Sequence, residues 1–168
     1  MRIALLVPAP FATVSGGYNY DRAIVAGLRA AGHSVDVLEL AGRHPLADAA
    51  AMDAAQHAWT RLAADAVPVI DGLCLPAFAP LADALAARRT AGLIHHPTAL
   101  ETGHDGATRD ALRAIERDLL PRLARVIVTS STSCLIQLAR GLRKYYPDAR
   151  VVHLSEYVLG ALENRNGT

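Results

Sequence analysis

The sequence predicts an α/β fold, a Rossmann-like open parallel β-sheet with helices on both faces. Short apolar runs alternate with longer segments of helical spacing along the chain, and this alternation is typical of parallel sheets. The first run, residues 2–7, is continuous and contains β-branched residues, as strands buried on both faces usually do. With 168 residues, 52% of them hydrophobic, the chain is long and apolar enough for one domain with a sizeable core.

Each element is predicted from such a run and from the residues that bound it. Strands are expected at residues 2–7, 35–40, 67–70, 91–95, 126–128 and 151–154. Helices are expected from the Gly-Gly loop to Gly32, which ends that helix as its C′ residue, at residues 46–66, 80–89 and 107–120, and from Ser130 to about Tyr145. We predict one domain over residues 1–154 and an irregular tail over residues 155–168.

Composition and charge exclude several function classes. The formal net charge is +1, so the chain has no bulk electrostatic footprint for nucleic acid. The two cysteines, Cys74 and Cys134, form no CxxC pair, and reduced thiols in a cytoplasmic protein are the simplest interpretation. No apolar run reaches the roughly 18 residues that a membrane span needs. We therefore expect a cytoplasmic protein that does not bind nucleic acid.

The loop after the first strand ends in Ser15-Gly16-Gly17. Ligands of open α/β sheets bind outside the carboxyl ends of the strands, so this loop is a candidate site. Two adjacent glycines let backbone N–H groups approach an anion, and the following helix adds its positive dipole end. The equally weighted alternative is a loop that needs glycine only to enter the helix. The dinucleotide fingerprint G-x-G-x-x-G does not occur in the chain.

Two further strand ends carry polar residues. Asp71 follows the third strand, where a strand-ending turn is the more common role and a substrate contact is the alternative. His95 and His96 end the fourth strand, where an imidazole can hydrogen-bond a sugar hydroxyl or steady a developing charge. One of the two histidines is alternatively a core residue. A zinc site built from His95, His96, His104 and Glu101 is conceivable, but its spacing matches no known ligand pattern.

Hydroxyl side chains cluster after the fifth strand, at Ser130 and Ser131. Helix capping explains at least one of them, and a cleft contact is the alternative. A serine hydrolase is disfavoured because no G-x-S-x-G elbow occurs in the chain. On the preceding helix, Arg113, Glu116 and Arg117 have i, i+3, i+4 spacing, which predicts a solvated helix face.

Taken in order along the chain, these motifs carry a family resemblance. Residues 1–7 are followed by Ser15-Gly16-Gly17-Tyr18, by Leu28-x-x-x-Gly32-His33-x-Val35-x-Val37, by Ile94-His95-His96-Pro97 with Glu101, and by Val126-Ile127-Val128-Thr129-Ser130. The set resembles the N-terminal, acceptor-side domain of a retaining group 1 (family 4) glycosyltransferase of GT-B architecture. The resemblance covers roughly residues 1–154.

The resemblance implies a cleft between two Rossmann-like domains, in which a sugar moves from a nucleotide-sugar to a hydroxyl acceptor with retained configuration. It places the donor diphosphate at the glycine loop and the transferred sugar at a histidine after the fourth strand. The residues so assigned are Gly16, Gly17, Ser130 and Ser131 for the donor, His95 or His96 for catalysis, and Tyr18, Glu101 and Asp71 for substrate contacts. No metal is expected, and the nucleotide-sugar serves as donor substrate without a separate cofactor.

The chain also departs from that family. The C-terminal domain with its paired-glutamate donor motif is absent, so we expect a truncated or single-domain form that binds the donor poorly alone. A homodimer through the exposed interdomain face is a further expectation. One alternative is a non-catalytic Rossmann-like module for ligand binding or oligomerisation. Another is a nicotinamide enzyme with Asp36 or Glu39 as ribose ligand, which the missing fingerprint disfavours.

Overall fold

The computed structural model describes residues 1–124 with their side chains and, beyond them, the backbones of residues 126–129 and 150–153. Six strands form one sheet, and every neighbouring pair is parallel. The strands are β1 (Arg2–Pro8), β2 (Ser34–Leu40), β3 (Ala66–Asp71), β4 (Ala91–Ile94), β5 (Val126–Thr129) and β6 (Arg150–His153). The α/β class and the parallel sheet predicted from the sequence are confirmed.

Four α-helices lie within residues 1–124: α1 (Gly16–Ala30), α2 (Ala49–Thr60), α3 (Ala82–Ala87) and α4 (Gly106–Leu119). The helix predicted over 46–66 is shorter at both ends, because Asp48 is the N-cap of α2 and Arg61 its C-cap. The segment predicted as a helix over 80–89 is a 3₁₀ turn, Leu75–Leu81, followed by the short α3. The helix predicted after Ser130 and the tail over 155–168 lie outside the described residues.

The ends of α1 follow its sequence signals. The hydroxyl of Ser15 accepts the backbone N–H of Tyr18, which satisfies one of the unpaired donors of the first turn. At the other end Gly32 has a φ of 83°, the left-handed conformation expected of a glycine just past a helix. Gly32 therefore ends α1, and the chain enters β2 at Ser34.

Two apolar clusters cover the two faces of the sheet. Because side chains alternate along a strand, the odd-numbered residues of β1, Ile3, Leu5 and Val7, pack with Val25 of α1. Leu6 points to the other side and joins a cluster that contains residues of α2, α3 and α4 (Ala51, Ala55, Leu85 and Leu119). Helices therefore lie on both faces of the sheet, with α1 alone on its face among the helices described.

The strand order β2-β1-β3-β4-β5-β6 fixes where a ligand can enter. From β1 the chain moves outward to β2 and then returns across β1 to β3, so the winding reverses between β1 and β3. Ligands of open α/β sheets bind at the carboxyl ends of the strands beside such a reversal. Among the helices of the described part of the chain, none combines the length and the apolarity that a membrane crossing demands.

Candidate functional site

Strand periodicity directs Asp71 and His95 to the same face of the sheet. On β3, Val69 packs on the α1 side and Ile70 on the other side, so Asp71 returns to the α1 side. On β4, Leu93 packs on the α1 side, and His95 lies two residues further along. Asp71 and Leu93 are direct partners in the register of the sheet. The carboxyl ends of β3 and β4 therefore bring an acid and an imidazole together beneath α1.

Helix α1 adds a second buried carboxylate to this pair. Asp21 Oδ1 lies 2.8 Å from His95 Nε2, and Asp71 Oδ2 lies 3.8 Å from the same nitrogen. The side chain of Asp21 is fully buried, that of Asp71 is 2% exposed, and that of His95 is 21% exposed. We call Asp21, Asp71 and His95 the Asp-His cluster. His95 is the member that a ligand reaches most readily.

Asp21 was not predicted from the sequence, although a signal for it exists. It precedes Val25 by four residues and Leu28 by seven, so it lies within the apolar stripe of α1. A carboxylate in such a stripe needs a buried partner, because a lone buried charge is very costly. His95, 74 residues away in the chain, supplies that partner. Only the fold shows that the two meet.

Burial and mutual repulsion change the acidity of this cluster. Desolvation, and then the neighbouring charge of Asp21, raise the pKa of Asp71 to about 7. Burial opposes the charged form of His95, but its hydrogen bond to Asp21 and the charges of both carboxylates outweigh burial and raise its pKa. The titrations of Asp71 and His95 therefore influence each other, and Asp71 exchanges its proton near neutral pH.

Two tyrosines of α1 border the Asp-His cluster. The ring of Tyr20 meets the His95 ring edge-to-face, with centroids 5.7 Å apart. Tyr18, predicted as a substrate contact, donates its hydroxyl to the carbonyl of Pro8 at 3.2 Å. Burial, and then the charge of Asp71, raise the pKa of Tyr18 to about 12, so its hydroxyl stays protonated. Tyr18 thus contacts the end of β1 through its hydroxyl and lies close enough to Asp71 to be affected by its charge.

The glycine loop lies against His95. A Cβ atom built on Gly17 would lie 3.5 Å from Cδ2 of the His95 ring, whereas one on Gly16 would meet nothing within 4 Å. Neither glycine has a positive φ. The alternative that the backbone itself requires these glycines therefore finds no support. A side chain at position 17 would therefore contact the imidazole ring. Both glycines occupy the first turn of α1, where N–H groups lack helical partners.

Side chains hold the loop of residues 9–15 in place. The guanidinium of Arg22 donates to the carbonyls of Phe11 and Thr13 and to the side chain of Asn19. It also lies 5.7 Å from the centre of the Phe11 ring. The carboxylate of Glu39 accepts the N–H of Phe11 at 2.9 Å. The loop that leads to the glycines is thus tied to both α1 and β2.

The loop after β4 is anchored by α4. Glu116 Oε1 accepts both the backbone N–H and the hydroxyl of Thr98, at 2.6 and 2.7 Å. The prediction of a solvated face for Arg113, Glu116 and Arg117 was therefore wrong for Glu116, which is half-buried and fixes the path of the chain beyond His95. Glu101, predicted as a substrate contact, is half-buried in the same loop.

The structure distinguishes the two histidines that the sequence left equivalent. His95 turns into the Asp-His cluster, and His96 is exposed. Among the described residues, the side chains that could converge on a metal ion are those of Asp21, Asp71 and His95, so the combination of His95 with His96, His104 and Glu101 is not assembled. Ser130 and Ser131, predicted at the cleft, lie outside the described residues.

A cavity of about 410 Å³ opens at the opposite edge of the sheet. It lies at the amino ends of the strands, and three arginines, Arg2, Arg29 and Arg61, help to line it. Arg29 donates to the carbonyl of Val35, and Arg2 pairs with Asp36. Because its basic groups are engaged by the protein and it lies away from the carboxyl ends, we do not assign the site to it.

The candidate site therefore combines two features at the reversal between β1 and β3. Exposed N–H groups of a helix N-terminus can meet an anion. A buried cluster of two carboxylates and an imidazole lies beside them and can exchange protons or bind hydroxyls. A scan against protein-family models finds no match for this chain, and a search of curated proteins finds no significant relative.

Proposed function

We propose that this chain is the acceptor-side domain of a retaining glycosyltransferase that moves a sugar from a nucleotide-sugar to a hydroxyl acceptor. The contact between the glycine loop and His95 carries this proposal, because the Cβ position of Gly17 lies 3.5 Å from the imidazole ring. A diphosphate bound at the helix N-terminus would then hold its attached sugar beside the imidazole. Cleavage of a sugar–phosphate bond requires a group that stabilises the departing diphosphate next to a group that contacts the sugar.

The chemistry of the Asp-His cluster supports a sugar ligand. Carboxylates accept hydrogen bonds from hydroxyl groups, and a protonated imidazole donates one to an ether or hydroxyl oxygen. The 21% exposure of the His95 side chain lets it reach a ligand while Asp21 stays buried behind it. In glycosyl transfer, His95 would donate a hydrogen bond to an oxygen of the transferred sugar and fix its position, and the N–H groups of Gly16 and Gly17 would stabilise the departing diphosphate.

A non-catalytic binding or oligomerisation module is the second candidate. Three large apolar side chains are exposed in loops that follow β1, β2 and β4: Val14 at 85%, Leu46 at 45% and Leu100 at 45%. These loops share the edge of the sheet that carries the Asp-His cluster. Exposed apolar groups at one edge favour a protein partner there, whether a further domain or a second copy of the chain.

A nicotinamide enzyme is less well supported. Glu39, one of the two acids at the spacing of a ribose ligand, accepts the N–H of Phe11, and Asp36 pairs with Arg2. Both carboxylates are thus engaged within the protein. We therefore expect no tight binding of NAD.

Calorimetric titration of the purified chain with UDP-, GDP- and ADP-sugars, the free diphosphates and NAD tests the proposal. The full gene product is assayed in parallel for release of nucleoside diphosphate in the presence of mixed glycoside acceptors. We expect weak nucleotide-sugar binding by the chain alone, which Gly17→Val lowers more than Gly16→Val does, because only the side chain at position 17 would contact the His95 ring. Tight NAD binding would overturn the proposal. Self-association without any nucleotide-sugar binding or turnover would favour the module instead.

A further inference from the structure

The Asp-His cluster contains an unbalanced set of charges and hydrogen-bonding atoms. If every member were ionised, two carboxylates and one imidazolium would leave one net negative charge in a buried site. Asp21 is 0% exposed, and its Oδ2 atom has no hydrogen-bond partner. A buried carboxylate oxygen without a donor costs free energy, so something must satisfy it.

The remaining contacts of the two acids show where a donor is missing. Asp21 Oδ1 accepts from His95 Nε2 at 2.8 Å. Asp71 Oδ1 accepts the backbone N–H of Leu73 at 2.7 Å. Asp71 Oδ2 lies 3.8 Å from His95 Nε2, beyond hydrogen-bonding distance. One atom from each of the three side chains lies within 4.8 Å of the others. Asp21 Oδ2 is therefore the atom of the cluster that still lacks a donor, and Asp71 is a neighbouring group that can supply one.

We propose that one proton shared by the two acids completes this cluster, so that Asp71 is a neutral carboxylic acid donating to Asp21 and Asp21 is the charged residue that positions His95. The hydroxyl of Asp71 then supplies the donor that Asp21 Oδ2 lacks. The site becomes electrically neutral, with Asp21 paired to an imidazolium. Asp21 acts on a ligand only through His95, whose orientation and charge it fixes. This arrangement does not depend on glycosyl transfer and holds for any ligand that binds at His95.

The asymmetry between the two acids follows from distance and surroundings. Asp21 lies in direct contact with the imidazole, so its charge is stabilised most strongly there. Asp71 Oδ2 lies one ångström farther from His95 Nε2 than Asp21 Oδ1 does. Burial, and then the charge of Asp71, raise the pKa values of Cys74 and Tyr18, so both stay neutral and neither gives Asp71 a counter-charge. Two carboxyl groups in contact cannot both ionise cheaply, and the one with the weaker partner keeps the proton. The raised pKa of Asp71 agrees with this assignment.

The test uses two isosteric variants, Asp71→Asn and Asp21→Asn, with Asp53→Asn on the exposed surface of α2 as the matched control. Asparagine imitates a neutral carboxylic acid, since its amide can donate where the Asp71 hydroxyl did. The protonation of His95 is followed by NMR of its ring nitrogens as a function of pH. Infrared difference spectra between low and high pH report the carbonyl stretch of a protonated carboxylic acid.

We expect wild-type His95 to titrate above pH 6.5, the ordinary histidine value. Asp71→Asn should leave the His95 pKa within about half a unit and remove the carboxylic acid band, whereas Asp21→Asn should lower the His95 pKa by at least about one unit. Asp53→Asn should change neither readout. If Asp71→Asn lowers the His95 pKa as much as Asp21→Asn does, the assignment of the charge to Asp21 is overturned.

The wild-type chain alone tests the shared proton, even if Asp21→Asn does not fold. Absence of a carboxylic acid band at pH 6 would overturn the shared proton. Titration with Mn²⁺ alone tests whether a cation replaces that proton. Stoichiometric, saturable broadening of the His95 ring signals by Mn²⁺ at neutral pH would show that a divalent ion neutralises the acids, and the proposal would be abandoned. No broadening beyond that of the exposed His57 on α2 is the expected result.

Discussion

Asp21 on α1 and His95 after β4 are separated by 74 residues in the chain and by 2.8 Å in the fold. The contact crosses from a helix that covers one face of the sheet to the carboxyl end of the fourth strand. It therefore ties the entrance of α1, with its two glycines, to the loop that follows β4. Whatever ligand enters at the reversal between β1 and β3 meets these two elements as one unit.

Replacing His95 tests its role in that unit. If the proposed glycosyl transfer is correct, His95→Ala should reduce turnover by the gene product on the order of a hundredfold or more, as loss of a charge-stabilising or proton-transferring group typically does. His96→Ala should reduce turnover far less, because that residue is exposed and is not one of the three that form the Asp-His cluster. Release of nucleoside diphosphate under saturating donor measures both. His57→Ala on α2 controls for the loss of a surface histidine.

The opposite ranking would be informative. A large loss for His96→Ala with little change for His95→Ala would mean that the Asp-His cluster serves the fold rather than the reaction. Thermal unfolding of each variant separates these cases, since a purely structural role for His95 would lower Tm without a specific loss of turnover in the folded fraction.

The two glycines make a second prediction with an internal control. Valine at position 17 would push its methyl groups toward the His95 ring, because the Cβ atom alone already lies at 3.5 Å. Gly16→Val places the same side chain in open space. We expect Gly17→Val to weaken diphosphate binding roughly tenfold or more, the size of one lost charge-assisted contact, and Gly16→Val to weaken it much less.

Both valine variants should fold, since neither position has a positive φ. They share the helix-propensity change of a glycine replaced near a helix start, so the difference between them reports contact with the site. Calorimetric titration with a nucleoside diphosphate measures that difference. Equal affinities for the two variants would remove the Gly17–His95 contact from the binding site.

The sequence predicted the sheet well because its signals are local. Apolar runs marked all six strands, and Gly32 marked the end of α1. Helix lengths were predicted less well: a run of alanines continued the helical pattern beyond Thr60, where the backbone in fact turns. Alanine has high helix propensity in any context, so composition alone could not locate that end.

The candidate site was only half predictable. The strand ends nominated Asp71 and His95, because the carboxyl ends of parallel strands converge. Asp21 and Glu116 were not nominated, because their roles depend on partners distant in the chain, His95 and Thr98. A polar residue within an apolar stripe is a local sign of such a partner, but the partner's identity comes only from the packing of α1 and α4 on the sheet.

The loop before the glycines gives a third prediction. Arg22 holds it through the carbonyls of Phe11 and Thr13, and lysine cannot reproduce this because it lacks the planar fork of donors. Arg22→Ala and Arg22→Lys should therefore both increase amide hydrogen exchange across residues 9–15, while exchange in β1 stays unchanged. Hydrogen-exchange mass spectrometry measures this, with Arg109→Ala on α4 as the control. Unaltered exchange in the loop would show that Glu39 and the local backbone suffice to hold it.

The pH dependence of stability provides the fourth prediction. Asp71 has a pKa of about 7 in the folded chain against an ordinary value of 3.8. Between these values the unfolded chain has lost the proton and the folded chain still binds it, so stability falls as pH rises. His95 acts in the same direction: its contribution is complete below pH 6.5 and is lost as pH rises through its raised folded pKa. Asp48 and Asp105 titrate below this window, because helix-capping hydrogen bonds lower their pKa values.

Asp71→Asn should remove the larger part of this dependence. At pH 5 the variant and the wild type should unfold at similar temperatures, because Asp71 is protonated in the folded wild type. At pH 8 Asp71 is mostly ionised in the folded wild type, and burying that charge costs stability. The variant should therefore unfold roughly 5 °C higher, the shift that about 2 kcal/mol produces in a domain of this size. Calorimetric Tm values at half-unit steps of pH, with Asp53→Asn as control, measure the divergence. Parallel curves for wild type and Asp71→Asn would mean that Asp71 ionises at its ordinary pH in the fold, and that the buried acids are neutralised by something other than a shared proton.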